Sequence, residues 1–147
     1  MARLVEATGA AQVAVVRELF AEYARLVDEP CCFVDFEREL GALPGDYRLF
    51  LADPAAGCVA VHLLDPSTAE MKRLYVRDAH RGKGLGRALA GKAIAVAREA
   101  GCSRIVLDTL PKMREAQALY GVLGFTRIEP YLENPTPGAL CFELRLS

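Results

Sequence analysis

A chain of 147 residues fits a single domain spanning 1–147, long enough to bury a core without disulfide or metal support. Its 52% hydrophobic and 25% charged residues are those of a globular protein, and a net charge of −1 leaves no basic excess to neutralise a row of phosphates, which argues against a nucleic-acid partner. No uncharged apolar run reaches membrane-spanning length, and the first dozen residues lack an apolar core and cleavage pattern, so the reading is cytoplasmic with no membrane partner.

In chain order, Ala2 to Glu6 reads as a short strand. Gly9 to Val27 is a strong amphipathic helix, with Val13, Val16, Leu19, Phe20, Tyr23 and Val27 at helical spacing. Phe33 to Leu40 reads as a second helix stopped by Gly41 and Pro44. Tyr47 to Ala52 and Gly57 to Leu64 read as paired strands joined by Asp53 to Ala56, and Ser67 to Arg77 as a third strand. Gly84 to Ala100 is a helix whose buried stripe is Leu85, Leu89, Ala93, Val96 and Ala100, with Gly101 ending it. Arg104 to Asp108 is an apolar strand, and Lys112 to Leu123 a helix carrying Met113, Ala116, Tyr120 and Leu123 on one face. Arg127 to Tyr131 and Leu140 to Leu146 are the last strands, joined by a Pro/Gly-rich turn. Strand runs mixed with single crossovers predict an α/β (α+β) fold: a mixed, largely antiparallel sheet of about seven strands with helices on both faces.

Arg81-Gly82-Lys83-Gly84-Leu85-Gly86-Arg87 lies between a strand and a long helix. Glycines let the backbone approach a ligand closely, and free amides at a helix start favour an anion. With Arg81, Lys83 and Arg87 this is the chemistry a pyrophosphate requires; the alternative is a bare basic turn. The spacing is not that of a dinucleotide fingerprint, and Gly86 to Ala93, which approximates a nucleotide-binding loop, lies inside a helix and ends without a hydroxyl.

The stretch from Leu74 through Gly86 resembles the acyl-CoA-binding motif of the GNAT superfamily of N-acetyltransferases, and Ala116-Gln117-Ala118-Leu119-Tyr120-Gly121-Val122-Leu123-Gly124-Phe125 resembles its A-x-x-L-Y-x-x-L-G-F segment. The resemblance covers nearly the whole chain. It implies acetyl-CoA as co-substrate: Arg81, Gly82, Lys83, Gly84, Leu85, Gly86 and Arg87 at the pyrophosphate, and Leu74, Tyr75 and Val76, on a bulged strand, along the pantetheine arm. Met113 stands where the family carries a pantetheine-binding asparagine, which removes one cofactor hydrogen bond.

Direct transfer to an amine needs one group to take a proton from the ammonium and another to return one to the departing thiolate. Glu70 resembles the general base of those GNAT enzymes that use one, many others using a water chain; burial would raise its pKa while Lys72 and Arg73 pull the other way, and the alternative role is a cross-strand ion pair. Tyr120 resembles the general acid; the alternative is core packing.

No cysteine sits in a metal-ligand spacing with His62 or His80, so no metal is expected. The odd count of five suggests reduced thiols, and Cys58, Cys102 and Cys141 read as small buried hydrophobes. His62 either lines the acceptor site or is structural.

The resemblance places acceptor selection in Leu26 to Tyr47 and Pro130 to Gly138. Glu29, Asp35 and Glu37 offer partners for an amine, and Arg48, Lys72 and Arg73 for a carboxylate. The expected acceptor is a small-molecule primary amine, amino-acid-like. The alternatives are a protein lysine or N-terminal acetyltransferase, or a non-catalytic acyl-CoA sensor. The Pro130 to Gly138 turn, with Tyr131 and Asn134 as hydrogen-bonding side chains, has a homodimer contact as its alternative role.

Overall fold

The computed structural model describes residues 3–146, Cys31 by its backbone alone. The elements are β1 (Arg3–Glu6), α1 (Ala10–Val27), α2 (Phe36–Ala42), β2 (Arg48–Asp53), β3 (Gly57–Asp65), β4 (Thr68–Val76), α3 (Leu85–Glu99), β5 (Arg104–Thr109), α4 (Arg114–Val122), β6 (Thr126–Ile128) and β7 (Leu140–Arg145). Short 3-10 turns at Pro30–Cys32 and Asp78–His80 precede α2 and α3.

The described residues form one seven-stranded sheet in the order β1-β2-β3-β4-β5-β7-β6. Every pairing is antiparallel except β4 with β5. The mixed, largely antiparallel sheet expected from the sequence is therefore present, with β7 inserted between β5 and β6.

Two apolar layers flank it. Val13, Val16, Leu19 and Phe20 of α1 pack on Leu49, Leu51, Cys58 and Ala60. On the other face Leu89, Ala90, Ala93, Ile94 and Ala97 of α3, with Tyr120 of α4, pack on Phe50, Val59, Val61, Met71, Ile105 and Leu107. Strand alternation produces this division, since neighbouring residues point to opposite faces. Each fully buried Leu, Val or Phe stabilises by about 1.5–3 kcal/mol.

Several boundaries differ from the sequence reading. Ala2 lies outside the described residues. The second helix begins at Phe36, because Asp35 takes a left-handed φ of 56° that a helix cannot contain. Gly41 lies inside that helix. Ala100 is exposed, and the α3 stripe instead includes Ala90, Ile94 and Ala97. Tyr131 falls outside the shorter β6.

One irregularity positions the site. Cys58 pairs with Tyr75, yet Ala60 pairs with Lys72, so Arg73 and Leu74 together oppose Val59. This is a bulge, and Arg73 within it has φ 59°. The parallel pairing of β4 with β5 covers only Thr68 to Glu70, against Arg104 to Val106. Beyond Glu70 the two strands part. Gly57 fits this bend because a Cβ there would stand 2.5 Å from the Tyr75 carbonyl oxygen.

Candidate active site

A groove of about 770 Å³ runs from the start of α3 along the parted end of β4. Leu74, Tyr75, Val76, Arg81, Gly82, Gly84, Leu85, Gly86, Arg87 and Met113 line it, all of them singled out in the sequence; Lys83 does not. Gly84 caps α3 with φ 78° and no side-chain hydrogen bond. The first α3 amides therefore face the groove with no side-chain acceptor, the arrangement an anion needs. Nothing stands within 4 Å of a Cβ built at Gly82 or Gly84, leaving open space for a ligand.

These features suit acetyl-CoA: amides and the exposed Arg81 and Arg87 at the pyrophosphate end, and unpaired β4 backbone along an extended arm. The Val76 carbonyl is already engaged, accepting from Arg81 Nε at 3.2 Å. Met113 lines the groove where the resemblance implies an asparagine, and its sulfur accepts from Thr109 Oγ1 at 3.4 Å. Lys112 also lines the groove and donates from Nζ to the Val27 carbonyl at 2.6 Å and to Glu29 at 3.0 Å. The end of α1 is thereby held against the start of α4.

A second cavity of about 120 Å³ adjoins the groove, sharing Tyr23, Val27, Leu74, Met113 and Ala116 with it. Its wall includes Tyr120, Lys72, Asp108, Thr109 and Leu132. Met71 and Tyr120 come from the α3/α4 side, so the cavity passes through the gap between β4 and β5.

Tyr120 is buried against Phe125 and Phe142, with ring centroids 5.7 and 6.2 Å away. Among the described residues its hydroxyl has no hydrogen-bond partner, and no fully buried side-chain oxygen or nitrogen lacks one. The oxygen is therefore reached from the cavity. Burial pushes the phenol well above its ordinary pKa, so it stays protonated at neutral pH.

Glu70 is only 2% exposed and lines neither cavity. His62 Nε2 stands 2.6 Å from Oε1, and the Tyr131 hydroxyl donates to Oε2 at 2.5 Å. Of the opposed effects expected on its pKa, the lowering ones prevail. Burial pushes it up, but the His62 hydrogen bond, the Lys72 charge and the Tyr131 hydroxyl together hold it below the ordinary carboxylate value. His62 also lies outside both cavities, with its ring edge-on to Tyr47 at 5.0 Å.

Sequence reasoning missed Asp108, and it offered Arg73 to an acceptor carboxylate where the structure pairs it with Glu39. The Arg73 guanidinium donates to both Glu39 oxygens at 3.0 and 2.8 Å and lies 4.5 Å from the Phe33 ring centroid, fastening the loop before α2 to the bulge. Asp108 has its pKa raised by burial and by the nearby Glu70. Asp35 and Glu37, expected to meet an amine, are exposed and line neither cavity. Cys58, Cys102 and Cys141 are buried free thiols whose pKa values burial raises, as small hydrophobes behave.

The chain belongs to the GNAT family of acetyltransferases: the family's profile matches residues 13–125. An uncharacterised N-acetyltransferase of Schizosaccharomyces pombe is 45% identical over 94 residues, covering 63% of this chain and 58% of that protein. The chain spans 34% and 36% of the length of two further curated relatives. An acetyltransferase from Streptococcus agalactiae has the same fold, with TM-score 0.81 at 19% identity and 98% of both chains covered. A Salmonella typhimurium structure described as an acetyltransferase with its cofactor acetyl-CoA superposes with TM-score 0.75 at 20% identity, covering 100% of this chain and 95% of that one. No helix among the described residues is long and apolar enough to cross a membrane.

Proposed function

We propose that this single domain moves an acetyl group from acetyl-CoA to the primary amine of a small molecule, by direct transfer, in a reducing cytoplasm. One observation carries this reading: the groove at the start of α3 adjoins a smaller, partly open cavity of about 120 Å³ lined by Tyr120, whose hydroxyl has no partner among the described residues. A volume equal to about four waters suits a small amine better than a peptide segment. The free thiols of Cys58, Cys102 and Cys141 agree with a reducing compartment.

Bound acetyl-CoA supplies the thioester carbonyl carbon that the amine attacks. The α3 amides with Arg81 and Arg87 hold the pyrophosphate, and the parted β4 backbone at Leu74, Tyr75 and Val76 orients the arm. The amine must lose a proton, and Glu70 is the base in this reading. Tyr131 and His62 occupy both Glu70 oxygens, so the proton reaches it through one of them. Tyr120, protonated and facing the cavity, gives its proton to the departing sulfur. Its tyrosinate form is disfavoured by burial, so it takes back a proton from solvent or from the attacking nitrogen, which becomes cationic on attack and must lose that proton to give the amide.

Thiol release from acetyl-CoA in the presence of small amines, amino acids and short peptides tests the reading. Release with small amines and not with peptides is expected. Release with peptides alone would move the chain to the protein acetyltransferases, and tight acetyl-CoA binding with no release would make it a sensor.

A further inference from the structure

Glu70 and Val106 are the last residues that pair β4 with β5. Two positions further along each strand stand Lys72 and Asp108, on the same sheet face as Glu70, where the strands have already parted. They are opposite charges at equivalent register on the two sides of the opening. Both line the small cavity, and both are half-buried.

Neither makes an ion pair or side-chain hydrogen bond with another described residue; Asp108 hydrogen-bonds only to its own backbone, and the Lys72 charge acts on Glu70 and Asp108 from beyond ion-pair distance. That is unusual for charges in a partly desolvated pocket, since half-buried charges ordinarily find partners. The other charged groups nearby are committed: Arg73 to Glu39, and Glu70 to His62 and Tyr131. The two open charges lie more than 4.0 Å apart, by the absence of a salt bridge, with the cavity between them.

We infer that Asp108 holds the ammonium of the acceptor and Lys72 holds an anionic group on the same molecule, so the acceptor is a small zwitterion of the aminocarboxylate class. This inference rests on the small-amine reading and narrows it. An ammonium at Asp108 shares its cavity with the Tyr120 hydroxyl, which places the amine beside the position of the departing sulfur. A zwitterion satisfies both charges at once, whereas a plain amine leaves Lys72 unpaired and a plain carboxylate leaves Asp108 so. The carboxylate of Asp108 is a binding group here; the proton still leaves by the route through Glu70.

The test measures thiol release from acetyl-CoA with each common amino acid beside the amine obtained by removing its carboxylate, using wild type, Lys72→Met and Asp108→Asn. The inference predicts that at least one amino acid exceeds its decarboxylated partner in kcat/KM by about tenfold or more, the scale of one charge-assisted hydrogen bond. Lys72→Met should erase that preference, bringing the ratio of the two kcat/KM values to about one, whatever it does to the turnover of both members. Asp108→Asn should raise KM for both members of the pair and leave the acetyl-CoA thermal shift intact, which a merely structural aspartate would not do. Wild-type turnover that favours the decarboxylated amines, or a preference that survives Lys72→Met, overturns the inference and leaves the small-amine reading standing. Should Asp108→Asn fail to fold, the Lys72→Met comparison decides alone. Wild type that releases no thiol with any of these compounds removes the small-amine reading, and the inference with it.

Discussion

Tyr131 donates its hydroxyl to Glu70 Oε2 at 2.5 Å, across a sequence separation of 61, and so ties the Pro-rich turn to the middle of the sheet. With His62 on the other oxygen, the Glu70 carboxylate is held in its charged form. A carboxyl whose native pKa lies below its unfolded value contributes stability that is complete above the unfolded value and is lost as pH falls through the native one. For Glu70 that window lies below the ordinary value of 4.5.

Tyr131→Phe removes one of the hydrogen bonds that hold the Glu70 pKa down. The native value rises, and acid unfolding starts at a higher pH than in the wild type. Circular dichroism from pH 7 to pH 2 checks this; coincident transitions would mean that the hydroxyl contributes nothing to the carboxylate.

Glu70→Gln keeps the side-chain shape and removes the proton acceptor. Turnover should fall by about 10²-fold or more, while the acetyl-CoA thermal shift stays near that of the wild type. Unchanged turnover from pH 6 to pH 9 would leave Glu70 as a structural anchor for His62 and Tyr131.

Tyr120→Phe separates chemistry from packing more cleanly than the sequence suggested. An aromatic on an apolar stripe predicted a structural hydroxyl as the competing explanation, with a lost hydrogen bond worth about 0.5–1.5 kcal/mol. The hydroxyl has no protein partner among the described residues, so stability should barely change. Single-turnover rates with acetyl-CoA saturating should drop, and the urea midpoint should not. The reverse pattern would remove Tyr120 from the chemistry.

The parts legible in the sequence are those written locally. The glycine-rich turn, its basic side chains and the helix behind it are contiguous, and all but Lys83 of that set lines the groove. Helical periodicity sets the face of Tyr120, which alone reads as core packing; its place at the site comes from the resemblance of the Ala116 to Phe125 segment. Arg73 with Glu39, Tyr131 with Glu70, and Lys72 opposite Asp108 depend on the register of distant segments, which periodicity does not report. The balance on Glu70 was only half legible for the same reason: burial and the opposing Lys72 charge are readable from the strand, but the His62 and Tyr131 contacts that add to the lowering are tertiary. The start of α2 was misplaced because a left-handed Asp35 is a feature of the turn and not of the helical pattern.

Arg73→Ala should destabilise the fold strongly. The Arg73 and Glu39 side chains are 7% and 15% exposed, and removing one partner leaves a buried charge uncompensated. Such losses run to about 3–5 kcal/mol. Urea unfolding of Arg73→Ala beside the double variant Arg73→Met with Glu39→Met checks the cause, because the double variant should recover part of the loss. No recovery would assign the effect to the bulge backbone instead.

Every proposed role in the groove requires acetyl-CoA to sit across the start of α3, and a thermal-shift titration of wild type and Gly84→Asp tests that directly. A ligand that binds only the native state stabilises it by about 2.7 kcal/mol at a hundred times its Kd, so the wild-type melting temperature should climb with acetyl-CoA concentration. Gly84 has φ 78° and open space where a Cβ would stand, so the aspartate adds about 1–3 kcal/mol of backbone strain without a clash and places a negative charge at the proposed pyrophosphate position. Gly84→Asp should therefore fold, melt somewhat lower and show no shift. A wild-type protein whose melting temperature ignores saturating acetyl-CoA, or a Gly84→Asp protein that shifts as fully as the wild type, would contradict the account.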